Sequence, residues 1–356
     1  MSAPSTTSIY INGRFLTQQI TGVQRFAIET CRALQKAGVS IKVLSPRGIL
    51  HEDLKSEFEV AEFGAWKGHL WEQFSLPSYL RKESSPLLLN LCNAAPMNYQ
   101  NHWVCIHDLA FKIHPEWFRP AFRHYYNFLI PKIAAKAKGI FTVSETVKKE
   151  LMASLHLSEE KVKVVYNGVS SVFEDTEEVP KLFSFERPYL LALGGTNPRK
   201  NNLTLIDALD SLDEHWYDVR IVGRAEQNFQ GVTLKEQQRN YTITFHENVS
   251  DQELKSLYQH AEACVYPSHY EGFGIPPLEA IHQGCPVILS NIQVFKELYS
   301  EAAIFMDGID VNAMINVLQQ LKQSKSKDTE NPAIQGIKKQ YTYTHTAKRI
   351  LEALSN

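Results

Sequence analysis

The sequence carries no surplus of charge of either sign: its 356 residues include 37 Lys+Arg and 39 Asp+Glu, for a formal net charge of -2. Without a basic field the chain has no global means of gathering nucleic acid, which is not expected as a partner. Cysteine is scarce. Cys31, Cys92, Cys105, Cys264 and Cys285 are scattered, odd in number and form no C-x-x-C pair, which argues against a disulfide scaffold and a structural zinc site. No stretch reaches the roughly 18 consecutive apolar residues of a membrane-spanning helix. The opening MSAPSTTSIYINGR lacks a basic region followed by an apolar one and does not read as a secretory signal. These absences point to a soluble cytoplasmic protein. Hydrophobic residues, by contrast, make up 44% of the chain against 21% charged, enough for a substantial core. At roughly 100–200 residues per domain, the length suits two domains.

Short β-branched runs alternate with amphipathic stretches. Strands are expected at 8–11, 41–45, 87–91, 103–106, 140–143 and 162–166, and again at 189–193, 219–222, 242–245, 263–266, 286–290 and 302–305. The clearest helix is 22–37, where Val23, Phe26, Ala27, Thr30, Cys31 and Leu34 share one face and Thr21 opens a capping box. Such alternation implies parallel sheets with helices on both faces. The acidic stretch 171–188, with two prolines and no clean period, reads as an interdomain linker. A polar stretch, 322–332, precedes a last helical segment at 342–356. The expected architecture is therefore α/β: two doubly wound, Rossmann-like domains, 1–175 and 189–340, facing a central cleft, with the final helix packing back on the first. Ligands of open α/β sheets bind at the carboxyl ends of the strands, so residues that matter should fall just after them.

The densest signal is CVYPSHYEGFGIPPLEAIHQGCPVILSN, 264–291. A strand ends, Glu271 stands in the loop, Gly272–Phe273–Gly274 follow, and Pro276–Pro277 open a helix that contains Glu279. Glycines admit close approach of a ligand to the backbone, and a helix start favours phosphate. Carboxylates repel phosphate but accept hydrogen bonds from hydroxyls, so two of them around such a start fit sugars on either side of a phosphate bridge. An acidic loop merely capping a helix is the competing explanation. LGGTNPRKNN, 193–202, repeats the pattern after another strand, with Gly195 and Thr196 in the turn and Arg199 and Lys200 adjacent. A planar fork beside a point charge suits a diphosphate.

The block around Glu271 and Glu279 resembles the Glu–seven–Glu signature of retaining glycosyltransferases of family 4, which have the GT-B fold. The resemblance implies that Glu271 contacts the hydroxyls of the transferred sugar, that Glu279 holds the nucleotide ribose, and that Phe273, Gly274 and Ile275 meet the phosphates and sugar. It implies that Lys200 and Arg199 bind the diphosphate. Many family members carry arginine immediately after the glycine, where Gly195–Thr196 stand here.

In the first half, Gly22 in ITGVQRFAIE resembles the glycine-containing loop that closes over the donor diphosphate. His107–Asp108 follow an apolar strand and resemble the family's H-D-L segment, whose histidine contacts the donor sugar; a capping Asp108 beside a satisfied polar histidine is the alternative. Ser144 and Asn167–Gly168 read as a helix cap and a turn. Segment 119–139 combines Arg119, Arg123, His124, Lys132, Lys136 and Lys138 with Tyr125, Tyr126 and Phe128, which fits either an ordinary packed helix or peripheral contact with an anionic inner-membrane surface.

The resemblance implies hexose transfer from a nucleotide diphosphate sugar to a hydroxyl of a growing surface glycan or lipid-linked acceptor, with retention. Glu271 and His107 would position and stabilise, and the departing phosphate would take the acceptor's proton. No Asp-x-Asp motif is present; neither metal nor other cofactor is expected, the nucleotide sugar being a substrate. The stretches T-G-V-Q-R and H-D-L-A-F-x-x-H-P-E-W-F look most like bacterial O-antigen and exopolysaccharide transferases and suggest a GDP-mannose-type donor. The alternatives are a UDP- or dTDP-sugar donor, a nucleotide-sugar epimerase of the same architecture, and a non-catalytic sugar-binding subunit.

Overall fold

The computed structural model describes residues 8–212, 216–223, 239–323 and 331–355. Part of the polar stretch 322–332 lies outside the described residues. The chain divides into two compact units, Met1–Gly168 with Tyr341–Asn356, and Val169–Gln340.

The sheet of the first unit contains β1 (Ile9–Asn12), β2 (Ile41–Ser45), β3 (Val60–Glu62), β4 (Leu88–Asn90), β5 (His102–Cys105), β6 (Gly139–Thr142) and β7 (Val162–Val164). All pairs are parallel, in the order β3-β2-β1-β4-β5-β6-β7. Central strands are apolar on both faces because helices cover both, and β4 and β6 are buried throughout. β3 has no counterpart among the expected strands. It is a three-residue edge strand with an exposed end, too short to show a period.

Helix Gly22–Lys36 starts where the capping box predicts, Thr21 and Gln24 capping reciprocally, and buries Phe26, Ala27, Thr30, Cys31 and Leu34. The last helix, Tyr343–Ser355, lies along it, with the Phe26 and Tyr343 rings 6.2 Å apart. Helix Pro120–Lys136 buries Leu129, Ile130, Ile133 and Ala134 against the sheet, as a packed helix does, and leaves Phe122 and Phe128 exposed.

The second unit repeats the plan with β8 (Tyr189–Leu193), β9 (Asp218–Val222), β10 (Ile243–His246), β11 (Ala263–Tyr266), β12 (Val287–Leu289) and β13 (Ile304–Phe305), all parallel, in the order β10-β9-β8-β11-β12-β13. The strand order reverses between β8 and β11, a topological switch point of a doubly wound sheet. The core gathers Leu190, Ala192, Leu205, Leu209, Val265, Met314 and Leu318.

The stretch 171–188 lies along this second unit. Gln283 Nε2 donates to the carbonyls of Phe173 (2.7 Å) and Asp175 (3.0 Å), and Ser256 Oγ to that of Pro180 (3.0 Å). The buried Lys255 amine pairs with Asp175 at 2.8 Å. The five cysteines are free.

Candidate functional site

At the switch point of the second unit, the loops after β8 and β11 bring together residues some seventy positions apart in sequence. Gly194, at φ 97°, lets the chain turn sharply out of β8, and a Cβ there would fall 2.6 Å from Lys200 Cγ. Asn202 Nδ2 donates to the carbonyls of Leu193 (3.0 Å) and Gly195 (2.8 Å), which fixes the turn holding Gly195 and Thr196. Pro198–Lys200 form one helical turn, and its Lys200 Nζ reaches Glu271 Oε1 at 2.5 Å and also bonds the Tyr266 hydroxyl. Ser268 Oγ donates to the same carboxylate oxygen at 3.0 Å, and Arg199 Nη1 lies 3.9 Å from the other.

Glu271 is 7% exposed. Burial alone would raise its carboxyl pKa, but the charges of Lys200 and Arg199 outweigh burial and hold it below the ordinary glutamate value. It is an ionised acceptor whose position is set by a lysine, an arginine and a serine. Gly274, at φ 95°, ends the loop and opens helix Ile275–His282; a Cβ would come within 2.6 Å of the Phe295 ring. Tyr299 Oη secures the loop by donating to the Gly274 carbonyl at 2.8 Å. Phe273 is buried, Ile275 half-buried, and Glu279, 5% exposed, accepts from Tyr258 Oη at 3.0 Å. Burial and then Glu279 push the Tyr258 phenol well up, so it stays a neutral donor.

Of the residues singled out from sequence, Gly195, Thr196, Arg199, Lys200, Glu271, Phe273 and Gly274 thus belong to the segments that follow β8 and β11, and Ile275 and Glu279 to the helix that the second of them opens. Tyr258, Tyr266 and Ser268 were not among them. Their signal is positional only: Tyr266 ends a strand, Ser268 opens the loop, and Tyr258 lies on the inner face of a helix that reads as generic.

Gly22 and His107 belong to the first unit. Gly22 is the exposed first residue of its helix. His107 follows β5 and is 6% exposed; its Nε2 donates to the Leu91 carbonyl at 2.8 Å and its ring stands edge-on to Phe26 at 4.8 Å. Burial pushes its pKa down, so the ring is neutral, with its proton on Nε2. Its remaining ring nitrogen, Nδ1, then carries no proton and can only accept a hydrogen bond. Asp108 Oδ1 caps the next turn by accepting from Ala110 N at 3.0 Å.

Beside β1 and β4 lies a buried polar centre without a distinctive sequence motif. Glu72 Oε1 accepts from Asn12 Nδ2 (2.7 Å) and Arg14 Nε (3.3 Å), its Oε2 faces His69 Nδ1 (3.1 Å), and Asn12 also donates to Asn90 Oδ1 (3.0 Å). Burial would raise the Glu72 carboxyl, but Arg14 and His69 hold it low. Among the described residues no group of His, Cys, Asp or Glu side chains is arranged to hold a metal ion, and no helix is long and apolar enough to cross a membrane.

Residues 20–172 match the family described as Glycosyltransferase Family 4, and residues 174–339 match Glycosyl transferases group 1. The O-antigen chain mannosyltransferase RfbU of Salmonella typhimurium is 31% identical over 231 residues, 63% of this chain and 62% of that protein. The O-antigen chain mannosyltransferase B of Escherichia coli is 26% identical over 270 residues, 72% of this chain and 71% of that protein. The match therefore spans less than two thirds of the RfbU sequence. In overall fold the chain resembles a glycosyltransferase from Rickettsia africae (TM-score 0.72, 17% identity, 99% of this chain and 100% of that one). It also resembles Anabaena HepE, solved with UDP and glucose (TM-score 0.74, 15% identity, 99% and 100%). With two parallel Rossmann-like sheets and a family match on each half, the chain belongs to the GT-B glycosyltransferases, family 4 in its first domain and group 1 in its second.

Proposed function

We propose that the chain transfers mannose, with retention, from GDP-mannose to a hydroxyl of a growing bacterial surface glycan or its lipid-linked precursor. The observation that carries this is the pairing of Lys200 and Arg199 with Glu271 at the switch point of the second sheet, because it sets cations for a diphosphate directly against a carboxylate for sugar hydroxyls. Mannose is favoured because both curated relatives described above are named as mannosyltransferases.

In this reading the bond from the anomeric carbon to the diphosphate oxygen breaks, and a bond from that carbon to the acceptor oxygen forms on the same face. The acceptor's proton passes to the leaving diphosphate. Lys200 and Arg199 stabilise the charge that develops there without requiring a metal. Glu271 accepts hydrogen bonds from sugar hydroxyls and so orients the ring, Glu279 does the same for the ribose, and the Nδ1 of His107 is an acceptor the first unit offers to a hydroxyl. Neither Glu271 nor His107 is the base.

The test is a thermal-shift panel of GDP, UDP, dTDP and ADP with their sugars, run with and without EDTA, followed by product analysis. Preferential stabilisation by GDP-mannose is expected, about 2.7 kcal/mol at a hundredfold excess over Kd. Stabilisation by UDP- or dTDP-sugars alone would replace the donor; no stabilisation by any would remove the donor site. The acceptor reading places the protein on the cytoplasmic membrane face. Phe122 and Phe128, 43% and 52% exposed, together with Lys132 on the same helix and Arg119 at its N-cap, would make that contact. Flotation with anionic but not neutral vesicles is the expected result.

A further inference from the structure

The donor reading leaves unused a pocket of about 320 Å³ in the first unit. It opens at the carboxyl ends of three neighbouring strands, the side on which doubly wound sheets bind ligands. Each strand end delivers a cation to its wall: Arg14 after β1, Arg47 after β2 and Lys67 after β3.

The three differ in how their charge is met. Arg14 is 7% exposed and bonded through Nε to the buried Glu72, which Asn12 and His69 hold in turn, so its charge is compensated and its place fixed. Arg47 and Lys67 are exposed. The Glu62 carboxyl, which also feels Arg47, pairs with Lys55 at 2.8 Å and accepts from the Gly48 N–H at 3.4 Å. Among the described residues Arg47 and Lys67 form no ion pair of their own. Lys67 Nζ nevertheless leans over the turn after β2, 4.0 Å from where a Gly48 side chain would begin. Gly48 turns the chain there at φ 92°, a left-handed conformation that favours glycine. Two exposed cations lining one pocket, neither held in an ion pair of its own, repel until an anion joins them.

We propose that this pocket binds a phosphate group, Arg47 presenting a planar fork and Lys67 a point charge to its oxygens, with Arg14, its charge already met by Glu72, forming the polar floor. Its natural bearer is the acceptor, as the phosphodiester or diphosphate that joins a glycan to its carrier. That assignment to the acceptor rests on the transferase reading; anion binding by the pocket does not.

The experiment titrates the full-length protein with inorganic pyrophosphate by calorimetry, comparing wild type with Arg47→Gln, Lys67→Gln and the double variant. Pyrophosphate reaching Lys200 in the other unit contributes equally to all four. Each single substitution is expected to weaken one binding event about tenfold, and the double to abolish it. Both side chains are exposed, so thermal midpoints should stay within a degree or two of wild type. A double variant with wild-type stoichiometry and affinity overturns the proposal, even if GDP-mannose binds and turns over normally. Conversely, loss in the double variant upholds the pocket even if no nucleotide sugar binds. Neutral vesicles with and without a polyprenyl diphosphate identify the bearer. Retention that depends on Arg47 and Lys67 marks a lipid-carried diphosphate; dependence seen only with pyrophosphate marks a soluble phosphate and sustains the pocket alone.

Discussion

At the scale of single residues, the candidate donor site depends on Glu271 being charged while 7% exposed. Its folded pKa is depressed by Lys200 and Arg199, so the stability it contributes is fully present above the unfolded glutamate value of about 4.3 and is lost as pH falls through the lower folded value. Glu271→Gln removes the charged carboxylate that faces Lys200. Its thermal midpoint should lie below wild type at pH 7, and the gap should close as pH falls below about 4. A gap independent of pH would mean that the ion pair contributes nothing. Transfer by Glu271→Gln should fall on the order of a hundredfold, read as product formed per folded enzyme. Near wild-type turnover would remove Glu271 from the chemistry. Glu271 and Lys200 are legible in the sequence because glycines and prolines frame them. Ser268 and Tyr266, which bond the pair, are not: each is an unremarkable residue until the two loops meet.

At the scale of elements, the turn chemistry decides which groups face the ligand side. Gly274 links loop to helix at a φ of 95°, against the Phe295 ring. Gly274→Ala therefore meets both backbone strain and a collision, and a loss of about 1–3 kcal/mol is expected by denaturant unfolding, together with weaker nucleotide-sugar binding. Unchanged stability would show that Phe295 and the loop relax freely. Most strands and the helix at 22–36 follow from periodicity and capping, since those signals are local. The three-residue β3 does not, because an edge strand with one apolar neighbour shows no period. The π-helical segment Trp71–Ser75 is likewise invisible in sequence, although it carries Glu72 into the polar centre with Asn12 and Arg14.

For the molecule as a whole, the first unit is built from both ends of the chain. The final helix returns to lie along helix Gly22–Lys36, burying Tyr343, Ala347 and Ile350. Gly168 packs so closely on the backbone of Thr342 and Tyr343 that a Cβ would fall 2.2 Å from the Tyr343 nitrogen. Ile350, wholly buried, should cost about 2–5 kcal/mol on substitution by Ala. Proteolysis of Ile350→Ala should therefore open sites within 8–168, although residue 350 is far away in sequence. Cleavage confined to 341–355 would show instead that the helix docks without supporting the rest.

What the sequence determined alone was whatever local order expresses: alternating strands and helices, helix starts marked by caps, and glycine-framed loops after strands. From these came two parallel-sheet domains and two candidate ligand loops, one carrying Glu271 and the other Arg199 and Lys200. Tertiary structure decided what depends on elements far apart in the chain converging. It set Lys200 on Glu271, turned the His107 proton toward a carbonyl, buried Glu72 among Asn12, Arg14 and His69, and collected Arg47 and Lys67 at one pocket. The physical reason is that hydrophobic period and turn propensity act over a few residues, whereas the charge and hydrogen bonding of a buried side chain are settled only by the partners that folding delivers.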